Sequence, residues 1–142
     1  HISGGRAGWN IVTSANKDDA LHYSRDAHAS HADRYDRAEE FVDVVRGLWD
    51  SYDDDAFPRD KEAGVYLRPD GVHFLNHKGK HFSVKGPSSV SRTPQGHPVL
   101  VQAGSSEAGM NISARVADVV FTSQSSLRDG QKFYADVKAR CD

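Results

Sequence analysis

The sequence predicts an α/β fold in which crossover helices join parallel strands. Short runs rich in β-branched residues recur at positions 9–14, 99–101 and 119–122. Between and after these runs lie segments with helical periodicity, at 30–52, 107–118 and 131–140. Because strands and helices alternate along the chain, the strands are expected to run parallel within one sheet.

Size and composition limit the classes of protein to which the chain can belong. Its 142 residues are about the length of one domain, and its formal net charge of -2 gives no basic excess for a nucleic-acid partner. No apolar run approaches the roughly 20 residues of a membrane span, so no membrane partner is expected. The single cysteine, Cys141, predicts a reducing compartment and therefore the cytoplasm. The chain begins at His1 rather than methionine, and we interpret it as an internal piece of a longer protein.

The first predicted strand, 9–14, carries the polar residues Asn10 and Thr13 at and near its C-terminal end. The following helix, 30–52, has the clearest periodicity of the chain, and Tyr35 lies in its first turn. Ser30 and Asp33 resemble a capping pair. Its apolar stripe consists of Ala38, Phe41, Val42, Val45, Leu48, Trp49 and Tyr52, whereas Arg37, Glu40, Asp43 and Arg46 are predicted to face water.

Residues 53–97 are polar and rich in glycine and proline, which predicts an insertion between regular elements. Within it, segments 72–77 and 81–84 flank a Lys-Gly-Lys turn and predict a β-hairpin. His73, His77 and His81 lie close together on this hairpin. Since they flank a turn, we interpret them as a solvated face, and no metal site is predicted.

The second strand, 99–101, passes through a small-residue turn into the helix 107–118. A helix start leaves backbone N–H groups unpaired and carries a partial positive charge. Together with the hydroxyls of Ser105 and Ser106, these donors could cradle a phosphate. The alternative is that one of the two serines only caps the helix, which serine does in many proteins.

The polar residues are expected to converge, because all parallel strands end at the same edge of a sheet and ligands bind at that edge. The residues placed there are Asn10, Thr13, Tyr35, Gly104, Ser105 and Ser106. This convergence favours a phosphate site over simple capping. The dinucleotide and P-loop glycine motifs are absent, as is a Gly-x-Ser-x-Gly elbow, and no catalytic residue is assigned.

Several motifs follow one another along nearly the whole chain: residues 4–14; Arg34-Tyr35 with 38–41; 48–51; His77, Gly79, Phe82 and Val84 with Gly86-Pro87; Arg92 with 94–96 and Pro98-Val99; and 102–106. In this order and at this spacing they resemble the bacterial-luciferase-like flavin monooxygenases. The particular subgroup is that of nitrilotriacetate monooxygenase component A.

The resemblance implies a partial TIM (β/α)8 barrel, holding about strands 4–6 with their helices and the hairpin insertion. It implies a two-component enzyme, in which a separate NAD(P)H:flavin oxidoreductase supplies reduced FMN, and O2 serves to oxidise a small organic substrate. Asn10 and Thr13 would lie beside the isoalloxazine ring or ribityl chain. Tyr35, Ser105 and Ser106 would hold the FMN phosphate at the Gly104 turn. A homodimer is consistent with the resemblance.

Two alternatives remain open from the sequence. A deazaflavin-dependent reductase of the same superfamily would share the barrel but would not use oxygen to oxidise a substrate, so oxygen uptake distinguishes it. A non-catalytic α/β phosphate-binding or interaction domain would use the hairpin as its contact surface. Failure of the complete protein to bind flavin would favour that second alternative.

Overall fold

The computed structural model describes residues 1–141 and shows two compact units. One unit joins His1–Ala7 to Glu39–Pro98, and the other joins Gly8–Ala38 to the chain from Val99 onward. The prediction that residues 53–97 are an insertion within one domain stays a prediction. Among the residues described, no helix has the length and apolar character needed to cross a bilayer.

The regular elements appear in the predicted order. They are β1 (Gly8–Ile11), α1 (Asp19–His22), α2 (His31–Trp49), a 3-10 turn (Pro69–Gly71), β2 (His77–Lys78), β3 (Ser83–Val84), β4 (Val99–Gln102), α3 (Glu107–Val116), β5 (Val119–Val120) and α4 (Leu127–Lys138). The alternation of strands and helices is therefore confirmed.

The parallel sheet has the strand order β1-β4-β5, and β4 is its central strand. Gln102 of β4 pairs with Ile11 of β1 and with Val120 of β5, and the side chains of these three residues lie on the buried face of the sheet. One position earlier, Val101 pairs with Asn10 and with Val119, and their side chains lie on the opposite and more exposed face. The sheet thus has one covered and one largely uncovered side.

The helices of this unit begin at serine caps. Ser106 accepts a hydrogen bond from the Gly109 N–H at 3.1 Å, and Ser126 accepts one from the Asp129 N–H at 3.1 Å. The predicted start of α4 at 131 is wrong, because Ser126 and Asp129 form a capping pair that begins the helix at Leu127. Helix α3 ends before Asp118, whose carboxylate instead accepts from the Leu100 N–H at 2.8 Å.

Helix α2 confirms the predicted cap, since Ser30 accepts from the Asp33 N–H at 3.1 Å. The predicted apolar stripe is partly wrong. Val42 is fully buried as expected, but Val44, outside the stripe, is buried too, whereas Phe41 is 39% exposed. Leu75 of the 53–97 segment packs against α2 at Gly47, which is one helical turn after Val44 and on the same side of the helix.

The hairpin of β2 and β3 is confirmed, although its strands are shorter than predicted. The carboxylate of Glu40 accepts hydrogen bonds from Nε2 of His77 at 2.8 Å and from the N–H groups of His81 and Phe82 at 2.8 and 2.9 Å. The predictions that Glu40 faces water and that His77 lies on a solvated face are therefore wrong: their side chains are 14% and 22% exposed. The hairpin loop leaves amide groups that need an acceptor, and Glu40 provides it.

Partial burial opposes ionisation of the Glu40 carboxyl, but the hydrogen bonds from His77 and from the two amides outweigh it and lower its pKa. His73, by contrast, is exposed and pairs with Asp53 at 2.8 Å. Within residues 1–141 no group of three or more potential ligands is arranged to hold a metal ion.

Candidate functional site

The β4–α3 turn is built on a close approach between two glycines. A Cβ at Gly104 would lie 2.9 Å from Cα of Gly109 and 2.8 Å from the hydroxyl oxygen of Tyr35. Conversely, a Cβ at Gly109 would lie 2.8 Å from Cα of Gly104. Real Cβ atoms do not approach other atoms so closely, so the turn requires glycine at both positions. It brings the start of α3 directly against the end of β4.

Ser106 both caps α3 and retains a free donor. Its Oγ accepts from the Gly109 N–H, and its carbonyl oxygen accepts from the Met110 N–H at 2.8 Å. The hydroxyl hydrogen remains available, because a hydroxyl donates as well as accepts. The N–H groups of Glu107 and Ala108 have no partner within the helix. Ser106 can therefore cap the helix and bind an anion at the same time. The neighbouring Ser105 is exposed.

Tyr35 lies in α2 with its hydroxyl at the Gly104 turn. The residue is 9% exposed, and its ring lies 4.6 Å from the ring of His31, one helical turn earlier. No hydrogen bond to the Tyr35 hydroxyl is found among the residues described. The phenol is thus held by packing while its hydroxyl is available to a ligand.

Asn10 and Thr13 are placed at the end of the neighbouring strand. Asn10 is exposed and lies opposite Val101, on the uncovered face of the sheet. Thr13 is half-buried, two residues beyond β1. The loop that follows is held by a hydrogen bond between Ser14 and Asp19, and Nε2 of His28 lies 3.2 Å from the Ser14 carbonyl oxygen.

The structure therefore brings Tyr35 and Gly104 into contact, with Ser106 at the start of the helix that packs on Gly104. Ser105 lies within the same turn, and Asn10 and Thr13 lie at the end of the adjacent strand. The groups facing this turn are hydroxyls and backbone N–H groups, which are the donors that a phosphate accepts from. The donor set fits a phosphate group.

Two further residues, Gln102 and Gly109, belong to this site and are not among the residues predicted from the sequence. Gln102 is 2% exposed, and its Oε1 accepts the Gly104 N–H at 2.6 Å. The sequence feature that indicates Gln102 is its position two residues after Leu100, which places its polar side chain on the face that the strand buries. Gly109 lies inside a predicted helix, and a glycine at such a position indicates that another part of the backbone approaches closely.

A surface cavity of about 710 Å3 lies in the other unit and is lined in part by Asp54, Arg59 and Arg92. The Arg92 guanidinium there donates to Asp50 and Asp54 at 2.9 and 2.6 Å and to the Trp49 carbonyl at 2.7 Å. Although partial burial opposes it, these contacts with Arg92 and a contact with His97 lower the pKa of Asp50. Arg92 is thus occupied by internal partners, and the β4–α3 turn remains the candidate site.

Comparison with known proteins identifies the class to which this fold and site belong. The model of the luciferase-like monooxygenase family matches residues 1–141, so the chain belongs to that family. It is 59% identical over 140 residues to nitrilotriacetate monooxygenase component A of Aminobacter aminovorans, covering 99% of this chain and 31% of that protein. It is 54% identical over 138 residues to N-acetyl-S-(2-succino)cysteine monooxygenase of Bacillus subtilis (strain 168), covering 97% and 31%.

Solved structures give the same result. A long-chain alkane monooxygenase superposes with a TM-score of 0.93 at 37% identity, over 99% of this chain and 32% of that one. A riboflavin lyase crystallised with modified FMN and riboflavin superposes with a TM-score of 0.92 at 35% identity, over 99% and 31%. The α/β prediction of a partial luciferase-like TIM barrel is confirmed. The chain spans about a third of the length of the relatives it matches, 31% in the two named above.

Proposed function

We propose that the complete protein is a two-component flavin monooxygenase. It uses reduced FMN, supplied by a separate NAD(P)H:flavin oxidoreductase, and O2 to oxidise a small organic substrate. The observation that carries the proposal is the donor cradle at the β4–α3 turn, where Tyr35 meets Gly104 and Ser106 begins the helix. The monooxygenase relatives and the modified FMN in the riboflavin lyase structure support it.

In this proposal each residue of the candidate site binds or orients a part of the flavin. Tyr35, Ser106 and the first N–H groups of α3 hold the phosphate, with Ser105 beside them and the positive end of the helix dipole behind them. Asn10 and Thr13, at the end of β1, face the isoalloxazine ring or ribityl chain. The flavin supplies the redox chemistry, while the protein positions it and excludes water.

We further propose that the substrate is a small polycarboxylate. The relatives at 59% and 54% identity are named for nitrilotriacetate and N-acetyl-S-(2-succino)cysteine, and both compounds carry several carboxylates around a nitrogen or sulfur atom. A relative named for the less polar dibenzothiophene sulfone is 43% identical.

We propose that the protein is located in the cytoplasm, because the chain has a single cysteine and therefore no internal disulfide. We also propose that it is a homodimer, because of the family to which it belongs.

Oxygen uptake by the complete protein tests this function. We expect uptake and an oxidised product when NADH, a flavin reductase, FMN and nitrilotriacetate are all present, and uptake should fall to the reductase background without the protein. Product formation from dibenzothiophene sulfone but not from nitrilotriacetate would contradict the polycarboxylate proposal alone. Flavin binding without any oxygenated product would favour a reductase, and absence of flavin binding would favour a non-catalytic phosphate-binding domain.

A further inference from the structure

The imidazole of His31 lies against the phenol ring of Tyr35 at the start of α2. The two ring centroids are 4.6 Å apart, and the ring planes are tilted by 33° to each other. These residues are four positions apart in one helix, so their side chains share a face and that of Tyr35 leans towards the preceding turn. Tyr35 is 9% exposed, whereas His31 is an exposed residue.

The first turn of α2, which carries His31, is anchored by side-chain hydrogen bonds. Ser30 accepts from the Asp33 N–H at 3.1 Å, and its hydroxyl donates to the Asp33 carboxylate at 2.6 Å. The Arg34 guanidinium donates to the Ala29 carbonyl oxygen at 2.6 Å. The Ser30 cap satisfies an N–H group that a helix start otherwise leaves unpaired. The backbone that carries the imidazole is therefore well held.

The phenol of Tyr35 is oriented by packing. Among the residues described, neither its hydroxyl nor the His31 imidazole has a hydrogen bond or ion pair. A Cβ built on Gly104 would lie 2.8 Å from the hydroxyl, so one end of the phenol meets the β4–α3 turn while its ring meets His31. Aromatic pairs at this separation stabilise their own geometry beyond the area they bury.

We propose that His31 is a positioning residue for the flavin phosphate that acts through Tyr35. The imidazole holds the phenol ring with its hydroxyl at the Gly104 turn, so the hydroxyl is oriented before the phosphate binds. Without the imidazole the phenol gains conformational freedom, which phosphate binding must then remove at a cost in affinity. This inference rests on the proposed function, since it concerns the phosphate subsite of the same site.

Two substitutions separate ring packing from the hydrogen-bonding capacity of the imidazole. His31→Ala removes the ring, and because alanine is the best helix former and the position is exposed, α2 should be retained. His31→Phe keeps a ring against Tyr35 but has no nitrogen that could donate or accept. Riboflavin lacks the phosphate, so its affinity should respond to neither change.

The experiment titrates reduced FMN and reduced riboflavin anaerobically by calorimetry into the complete polypeptide that carries this chain, and melting temperature is recorded for every variant. We expect His31→Ala to bind FMN roughly threefold to tenfold more weakly, the range of one aromatic pair, with riboflavin affinity unchanged. His31→Phe should bind FMN within about twofold of the wild type, since the pair is kept. In a Tyr35→Phe background no hydroxyl remains to be oriented, so His31→Ala should cause no further loss. His22→Ala, at an exposed histidine of α1, is the control and should leave FMN affinity unchanged.

Other results overturn the inference in distinguishable ways. FMN binding as weak in His31→Phe as in His31→Ala would show that an imidazole nitrogen is used rather than ring packing. A loss that persists in the Tyr35→Phe background would show that His31 acts independently of Tyr35. Equal losses for FMN and riboflavin would show a purely structural role, and no loss in His31→Ala would show no role. If His31→Ala does not fold, His31→Gln, which also lacks an aromatic ring, takes its place with the same expectation. Absence of flavin binding by the wild-type protein would instead refute the proposed function itself.

Discussion

Ser106 caps α3 through its hydroxyl oxygen, and we propose that its hydroxyl hydrogen donates to the flavin phosphate. Ser126 provides a matched control, since it caps α4 with the same 3.1 Å hydrogen bond and lies outside that site. The two serines therefore allow capping and ligand binding to be separated within one protein.

We predict that Ser106→Asp preserves the stability of the complete protein but weakens FMN binding at least tenfold. Aspartate is as good an N-cap as serine, whereas its charge repels a phosphate and its side chain offers no donor. Ser126→Asp should leave FMN affinity unchanged, although it places a carboxylate beside that of Asp129 and should lower the stability slightly. Thermal unfolding and FMN titration measure the two effects, and an unchanged FMN affinity in Ser106→Asp would remove this serine from the site.

Gly104 is predicted to be intolerant of any side chain. Gly104→Ala would place a methyl group 2.8 Å from the Tyr35 hydroxyl, and we expect a loss of about 1–3 kcal/mol in the free energy of unfolding together with loss of FMN binding. Gly130 in α4 has open space around its Cα, so Gly130→Ala should stabilise the protein by about 0.5–1 kcal/mol. Chemical denaturation measures both. Equal effects of the two substitutions would mean that the Gly104 turn is not tightly packed.

At the scale of elements, the hairpin of β2 and β3 depends on one carboxylate of α2. Glu40 accepts from the side chain of His77 and from two loop amides, so the hairpin needs the ionised form of this residue. Its lowered pKa has a definite consequence for stability: the contribution is complete above the pKa of the unfolded chain and is lost as pH falls through the folded value.

We predict that Glu40→Gln increases hydrogen exchange at the amides of His81 and Phe82 several-fold at neutral pH. The uncharged side chain can accept fewer and weaker hydrogen bonds from these groups. Glu62→Gln, at an exposed position of the same segment, serves as the control. Wild-type stability should fall as the solution is acidified below the usual carboxyl range, and that fall should be smaller in Glu40→Gln. A parallel acid dependence in both proteins would contradict the role of Glu40.

The sequence alone predicts those features of the fold that depend on residues near one another in the chain. The cap at Ser30, the order of strands and helices, and the parallel sheet follow from side-chain chemistry within a few residues or from alternation along the chain. The contacts of Glu40 could not be predicted in the same way. Its carboxylate accepts from loop amides about 40 positions later in the chain. Such contacts depend on tertiary packing that no local pattern encodes.

One face of the parallel sheet carries apolar side chains that the described residues leave uncovered. Val99 and Val119 on this face are 43% and 48% exposed, and Phe121 just beyond β5 is 64% exposed. The relatives are about three times as long as this chain, which covers 31% of them. Exposed apolar surface on a sheet promotes association.

We predict that residues 1–142, produced alone, self-associate reversibly, and that Val99→Ser combined with Val119→Ser reduces the association. Val90→Ser serves as the control, because this valine is 61% exposed but lies in the other unit. Sedimentation velocity over a range of concentrations measures the effect. A monomer at every concentration, or an equal effect of Val90→Ser, would argue against the sheet face as the associating surface.

We propose that the start of α3, with Tyr35 beside it, holds the phosphate of a flavin mononucleotide. The most direct measurement is the affinity of the complete wild-type protein for reduced FMN relative to reduced riboflavin, which differ only in that phosphate. We expect FMN to bind at least about tenfold more tightly, since hydrogen bonds to a charged group contribute roughly 1.5–3 kcal/mol each. Equal affinities for the two flavins would contradict it.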